Sequence, residues 1–194
     1  EMRQEHIVEL GGSAETERAV ERALAWLARA QSDDGRWSVA RFKGVDVCGG
    51  AGDRTDGDAA MTGLALLAYL GAGYTQTRGD YQATVRKGLA WLIAGQTPNG
   101  DLRRGSSLYA QAMAAAALCE AYSLTDDPVL REPARKAIRF ICDSQNLGAG
   151  WRYEPRSDND TSVSGWMVLA LKSGELAGIP VDPQHFRWTG LWLD

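Results

Sequence analysis

The stretch "VERALAWLARAQSDDGRW" (residues 20–37) decides how this chain reads. Val20, Ala23, Leu24 and Leu27 form an apolar stripe at helical spacing, with Glu17, Arg18, Glu21 and Arg22 opposite. That is the pattern of a helix with one face on a core. Gln31 follows, then a glycine-containing turn, then Trp37. The same order returns in "VRKGLAWLIAGQTPNGDL" (85–102) and, shortened, in "AIRFICDSQNLGAGW" (137–151), without gaps up to the glutamine. Gln31, Gln96 and Gln145 correspond, and six residues after each stands Trp37, Leu102 or Trp151. Trp91 repeats Trp26. The stripe recurs as Val85, Leu89 and Leu92, and again as Ala134, Ile138 and Ile141. A pattern returning at such intervals marks a repeat architecture.

Each unit continues into a second helix of different character: "DAAMTGLALLAYLGAG" (58–73), "SSLYAQAMAAAALCEAY" (106–122) and "DTSVSGWMVLALKSGELAG" (160–178). These are apolar nearly all round and rich in Ala and Gly, so they are expected to be buried on every side. Alternating half-buried and wholly buried helices imply two layers, amphipathic outside and apolar inside. The segments 71–81 and 124–133 read as connections, with Pro128 and Pro133 suited to helix starts. The loop 38–57 is long for a compact domain, and such loops are often functional. "IPVDPQHFRWTGLWLD" at the C-terminus, with Phe186 and Leu191, reads as a fourth outer helix cut short. The whole chain, 1–194, is thus one all-α domain with repeats over about 14–73, 81–123 and 128–178 and a truncated fourth over 183–194.

Composition excludes several classes. At 194 residues and 44% hydrophobic content the chain is one domain's length with a real core. A net charge of −4 with mixed signs, and no basic run, argues against a nucleic-acid surface. No apolar run reaches the roughly 18 residues of a membrane span, and no signal peptide is visible. The three cysteines, Cys48, Cys119 and Cys142, show no CxxC spacing. Cys119 and Cys142 fall in apolar helical runs, as buried reduced thiols do. That favours a soluble, cytoplasmic protein over a secreted one, though the compartment stays open.

The Gln–turn–Trp units resemble the QW motifs of the terpenoid cyclase and protein prenyltransferase superfamily. Within it, the chain resembles bacterial prenyltransferase/squalene oxidase repeat proteins, a squalene cyclase-like group, and the resemblance covers nearly all of it. It implies an α/α toroid of helical hairpins, here a partial ring, since three hairpins supply about half of the family's closed ring of six. It also implies that Gln31, Gln96, Gln145, Trp37 and Trp151 are structural pins, with a weaker pin where Leu102 stands. A half ring leaves inner-helix surface exposed, so further chain or self-association with a second copy is expected to cover it.

"SDNDTSVSGW" (157–166) carries the chemical question. Squalene–hopene cyclases have Asp-x-Asp-Asp-Thr, and the middle Asp delivers the proton. Anchored on Thr161, that position here is Asn159, an amide that cannot be the acid; Asp160 matches the last Asp. Aligning the second helices on Thr62, Ala110 and Ser164 puts Asp58, Ser106 and Asp160 four residues earlier. All three are favoured N-cap types. Asp160 and Asp58 therefore stand as candidate catalytic carboxylates against a capping reading. Asp46 and Cys48 are spaced as in the zinc site of the prenyltransferases, but His6 and His185 are the only histidines and lie near the ends. Three protein ligands with closing geometry are needed, so no metal is assigned. Cys48-Gly49 matches the start of the thioester motif of complement-type domains; Ala51 stands where its Gln is required, which excludes the thioester. "DRTDGD" (53–58) does not have the spacing of a calcium loop, and no DDxxD occurs for a magnesium-bound diphosphate.

The resemblance implies a cavity among the inner helices for an isoprenoid or other apolar small molecule, without cofactor. Arg103, Arg104, Tyr109, Gln111, Thr161 and Trp166 would line the inner-helix entrances with the two carboxylates. For Tyr69, Tyr109 and Trp166, core packing competes with the lining of a cation-stabilising cavity. If the chain is an enzyme, it is cyclase-like without the usual proton-donating Asp. The alternative is a non-catalytic binding or scaffold repeat domain of a larger protein.

Overall fold

The computed structural model describes residues 12–40 and 56–194. Among them there are seven helices and no strand. They are α1 (Ala14–Ala30), α2 (Asp58–Gly71), α3 (Gln82–Ala94), α4 (Leu108–Thr125), α5 (Pro128–Ser144), α6 (Thr161–Leu176) and α7 (Gln184–Leu193). No helix among the described residues is long and apolar enough to cross a membrane.

Local sequence explains the helix ends. Ser13 and Thr16 form a reciprocal capping box at the start of α1, with Glu15 and Glu17 in the first turn and Arg29 in the last. Those charges match the helix dipole. Pro128 opens α5, and the Asp127 side chain accepts from the Val129 N–H. The connection between α4 and α5 is therefore only Asp126-Asp127, far shorter than the 124–133 expected, with Asp126 left-handed at φ 51°. Pro133 lies inside α5 rather than at a helix start.

α2 packs along α4, and α4 along α6, in one row. α5 leans on α4 and α6, α3 on α2, α1 chiefly on α2, and α7 on α6. The α2–α4 approach depends on a glycine. A Cβ at Gly63 would stand 2.7 Å from the Met113 carbonyl oxygen, so the two backbones nearly touch. α4, lying between neighbours, is buried along its length, from Leu108 through Ala114–Ala117 to Ala121. α2 and α6 are covered on fewer sides, and the expectation of burial all round fails for them. Met61 on α2, and Leu169 and Leu176 on α6, are exposed. Burying a side chain the size of Leu66, Leu118 or Leu171 stabilises the fold by about 1.5–3 kcal/mol. The stripes of α3 and α5 are buried as their spacing requires: Val85, Leu89 and Leu92, and Ala134, Ile138 and Ile141. Of the α1 stripe only Leu24 is buried, joined at the helix end by Ala30, while Val20 is exposed. In α7, Phe186 meets the core, whereas Leu191 and Leu193 face outward.

Candidate functional site

Three like turns carry the chain from α1, α3 and α5 toward α2, α4 and α6. The residue after each glutamine donates its N–H four residues on: Ser32 to Arg36, Thr97 to Asp101 and Asn146 to Gly150, at 2.9, 3.0 and 3.0 Å. Each glutamine amide nitrogen reaches the backbone of a later helix. Gln31 Nε2 donates to Thr84 O (3.0 Å), Gln96 Nε2 to Pro133 O (2.9 Å) and Gln145 Nε2 to His185 O (2.9 Å). The indoles of Trp37 and Trp151 donate from Nε1 to Leu27 O (2.8 Å) and Ile141 O (2.9 Å).

Each turn is also held by one polar side chain in the apolar helix that follows. Trp37 N–H donates to Thr62 Oγ1 (3.0 Å), Leu102 N–H to Gln111 Oε1 (2.7 Å) and Trp151 N–H to Ser164 Oγ (3.0 Å). Thr62, Gln111 and Ser164 are all buried. They are the functional residues of the turns that sequence pattern misses. Their signal was present: each is the polar interruption near the start of an apolar helix. This pairing shifts the α4 alignment by one, so Ser107, not Ser106, answers to Asp58 and Asp160.

Gln111 is thus not at an entrance. Its amide nitrogen donates to Gly100 O (3.1 Å) and Ala137 O (3.2 Å), which places the whole side chain inside the core. Asp160 caps α6, its Oδ1 accepting from Val163 N–H (3.0 Å) and from Ser162 Oγ (2.6 Å). The Ser162 bond first, then the Val163 N–H, hold this exposed carboxyl below its ordinary range. It is ionised at neutral pH. Tyr109 hydroxyl bonds Ser162, and Tyr109 lies 6.1 Å, ring to ring, from Tyr153. Thr161 is exposed at the first position of α6, and Trp166 is half-buried against the core. Asn159 Oδ1 accepts from Gly150 N–H (2.9 Å) and Asn146 Nδ2 (3.0 Å), bracing the third turn.

Asp58 departs from the capping expectation. Gly57 is the N-cap of α2 and no side chain caps that helix; the side chain of Ser107 likewise makes no cap bond in α4. Asp58 Oδ1 instead accepts from Val39 N–H (2.9 Å), and Oδ2 lies 3.1 Å from Arg36 Nε. Asp58, Arg103 and Arg104 come together around a cavity of about 140 Å³, with Arg36, Asp56 and Trp91. Arg103 pairs with Asp101 (3.0 Å) and Glu154 (2.6 Å). Burial pulls its pKa down, and the bonds to the two carboxylates outweigh that and raise it. Arg104 stacks on the Trp91 ring at 4.0 Å and donates to Trp91 O (3.0 Å). Burial lowers its pKa. A Cβ at Gly95 would lie 2.1 Å from the Arg104 guanidinium, so this stack requires glycine there.

The candidate residues therefore do not converge: Asp58, Arg103 and Arg104 meet at a small charged cavity, Tyr109 and Asp160 join a surface hydrogen-bond chain through Ser162 with Thr161 exposed beside it, Trp166 packs half-buried against the core, and Gln111 lies within the core. Among the described residues no group of His, Cys, Asp and Glu is arranged to hold a metal ion. His6, Asp46, Cys48, Ala51 and Asp53 lie outside the described residues. Burial pushes the thiols of Cys119 and Cys142 up to about 12, so both stay protonated and unreactive at neutral pH. No protein-family model, no curated protein and no solved structure matches this chain.

Proposed function

We propose that this chain is a non-catalytic repeat domain, built as part of an α/α toroid of the terpenoid cyclase and prenyltransferase kind, that holds an apolar molecule without transforming it. One observation carries the non-catalytic reading: both carboxylates at the motif are exposed and ionised, Asp158 paired with Arg152 and Asp160 capping a helix, and Asn159 between them is a brace. A proton donor to an alkene needs a carboxyl kept protonated by its surroundings, and Asp160 has the reverse environment. The repeat reading rests on the three glutamine bonds, which run in the same sense from the end of one amphipathic helix to the next.

The cavity at the start of α2 is too small and too charged for an isoprenoid. The apolar side chains left open at the two ends of the α2–α4–α6 row, Met61 on one and Leu169 and Leu176 on the other, suit an isoprenoid, another apolar ligand or a second copy better. The test is mass spectrometry of the purified protein under native conditions, with light scattering and incubation with squalene and prenyl diphosphates. Co-purified apolar lipid without turnover is the expected result. Any cyclised or transferred product overturns the non-catalytic reading. A lipid-free monomer overturns the binding reading.

A further inference from the structure

A second cavity, of about 300 Å³, lies between α3 and α5, away from the charged one. That is the low end of the range for small-molecule sites. Leu89, Ile93 and Leu130 supply apolar wall, and Gln76, Arg86 and Asp127 supply polar groups. The interval between α1 and α3 shows what is missing here. There, Tyr74 and Tyr81 meet edge to face at 4.9 Å, and the Tyr74 hydroxyl donates to Glu21 Oε1 at 2.7 Å. Aligning Gln31 with Gln96 places Arg86 at the position of Glu21; aligning Gln96 with Gln145 places Leu130 at that of Tyr81. The second alignment also pairs Thr84 with Pro133, the two carbonyls that receive Gln31 and Gln96. So the first interval is filled by phenol rings, while no aromatic residue lines the second.

The polar groups here are unevenly satisfied. Gln76 is buried, and its Nε2 donates to Thr125 Oγ1 (2.8 Å) and Asp127 Oδ2 (3.3 Å). Its Oε1, cut off from solvent, has no hydrogen-bond partner. A buried acceptor without a donor is costly, so this atom favours an occupant that brings one. Arg86 Nη2 donates to Gln76 O (3.0 Å), and its remaining N–H groups can serve an acceptor. Asp127 uses Oδ1 for the Val129 N–H and Oδ2 for Gln76, and its charge disfavours an anionic head.

We propose that this cavity binds a small phenolic compound. The ring lies between α3 and α5; a small turn of the Gln76 side chain brings its Oε1 to the ligand hydroxyl, which donates to it while accepting from Arg86. The site, its ligand class and its position are separate from the apolar faces of α2 and α6. The probe is 2-naphthol, titrated into the isotopically labelled full chain while the amide signals of Ala90 and Ile93 are followed. The comparators are 2-methylnaphthalene, which lacks the hydroxyl, and 2-naphthoate, which carries a charge. The expected result is saturable binding of 2-naphthol, about tenfold tighter than either comparator, the size of one hydrogen bond. Ala90→Trp fills the cavity from an exposed position and abolishes binding. Gln76→Met removes the acceptor, so the preference for 2-naphthol over 2-methylnaphthalene disappears while the hydrocarbon still binds. The proposal is overturned if 2-naphthol does not bind, if the comparators bind equally well, or if Ala90→Trp, shown folded by circular dichroism, leaves binding unchanged.

Discussion

The turns that end in Trp37 and Trp151 differ from the turn that ends in Leu102 by one hydrogen bond. Each indole closes back on the helix before it, on Leu27 O or Ile141 O. Leu102 fills apolar space and has no side-chain donor to do the same. Two other residues take over in that turn. Gln111 stands where the sister helices have Thr62 and Ser164, and its longer side chain accepts from Leu102 N–H and also donates to Gly100 O and Ala137 O. Arg104 reaches back to Trp91 O. The pin expected to be weak is replaced by a spread-out one. A turn geometry can thus be kept while the residues that hold it change, provided every buried backbone group still finds a partner.

The comparison breaks most visibly at Trp151, which is fully buried. Trp151→Ala removes both its packing and the bond to Ile141 O and should lower unfolding free energy by about 3–5 kcal/mol, read from urea denaturation. A loss under 1 kcal/mol would show that the indole is not a pin.

The compensation in the Leu102 turn is sharpened by removing it. Gln111→Leu leaves Leu102 N–H, Gly100 O and Ala137 O without their partner and should cost about 3 kcal/mol, against about 1 kcal/mol for Thr62→Val, which frees Trp37 N–H. Equal losses would mean that Gln111 adds nothing beyond what its short counterpart does.

The smallest effect is at Asp160. Its pKa is depressed in the folded chain, so the stabilisation it provides is present above the unfolded value near 3.8 and is lost as pH falls through the folded value. Asp160→Asn keeps a capping oxygen and removes the titration. Melting temperature at pH 7 should change little, and the variant should lose less stability than the parent between pH 5 and about 2. A parent and variant with parallel pH profiles would contradict an ionised cap.

Much of the helix order was readable from residue pattern because it is local. The stripes on α3 and α5 and the small residues along α4 each need only a few neighbours in sequence to declare a face or its absence. The glutamine–turn–aromatic spacing was equally plain. The candidate site was harder. Asp58, aligned with Asp160 as a cap, is turned instead to Arg36 and Val39. Gln111 reads as an entrance residue because the resemblance puts a cavity mouth at the start of its helix. Its partners are backbone atoms of the preceding turn and of α5, and backbone atoms leave no trace in a residue pattern.

Local pattern alone settled that this chain is helical, which helices have one apolar face, and that Asn159 cannot be an acid. Packing settled the rest. It enclosed α4 but left the apolar sides of α2 and α6 partly open, since burial depends on neighbours as well as on composition. It made Asp160 an ionised cap and Gln111 a core tie, since a polar side chain's role is set by whichever donor or acceptor the fold brings within 3 Å of it.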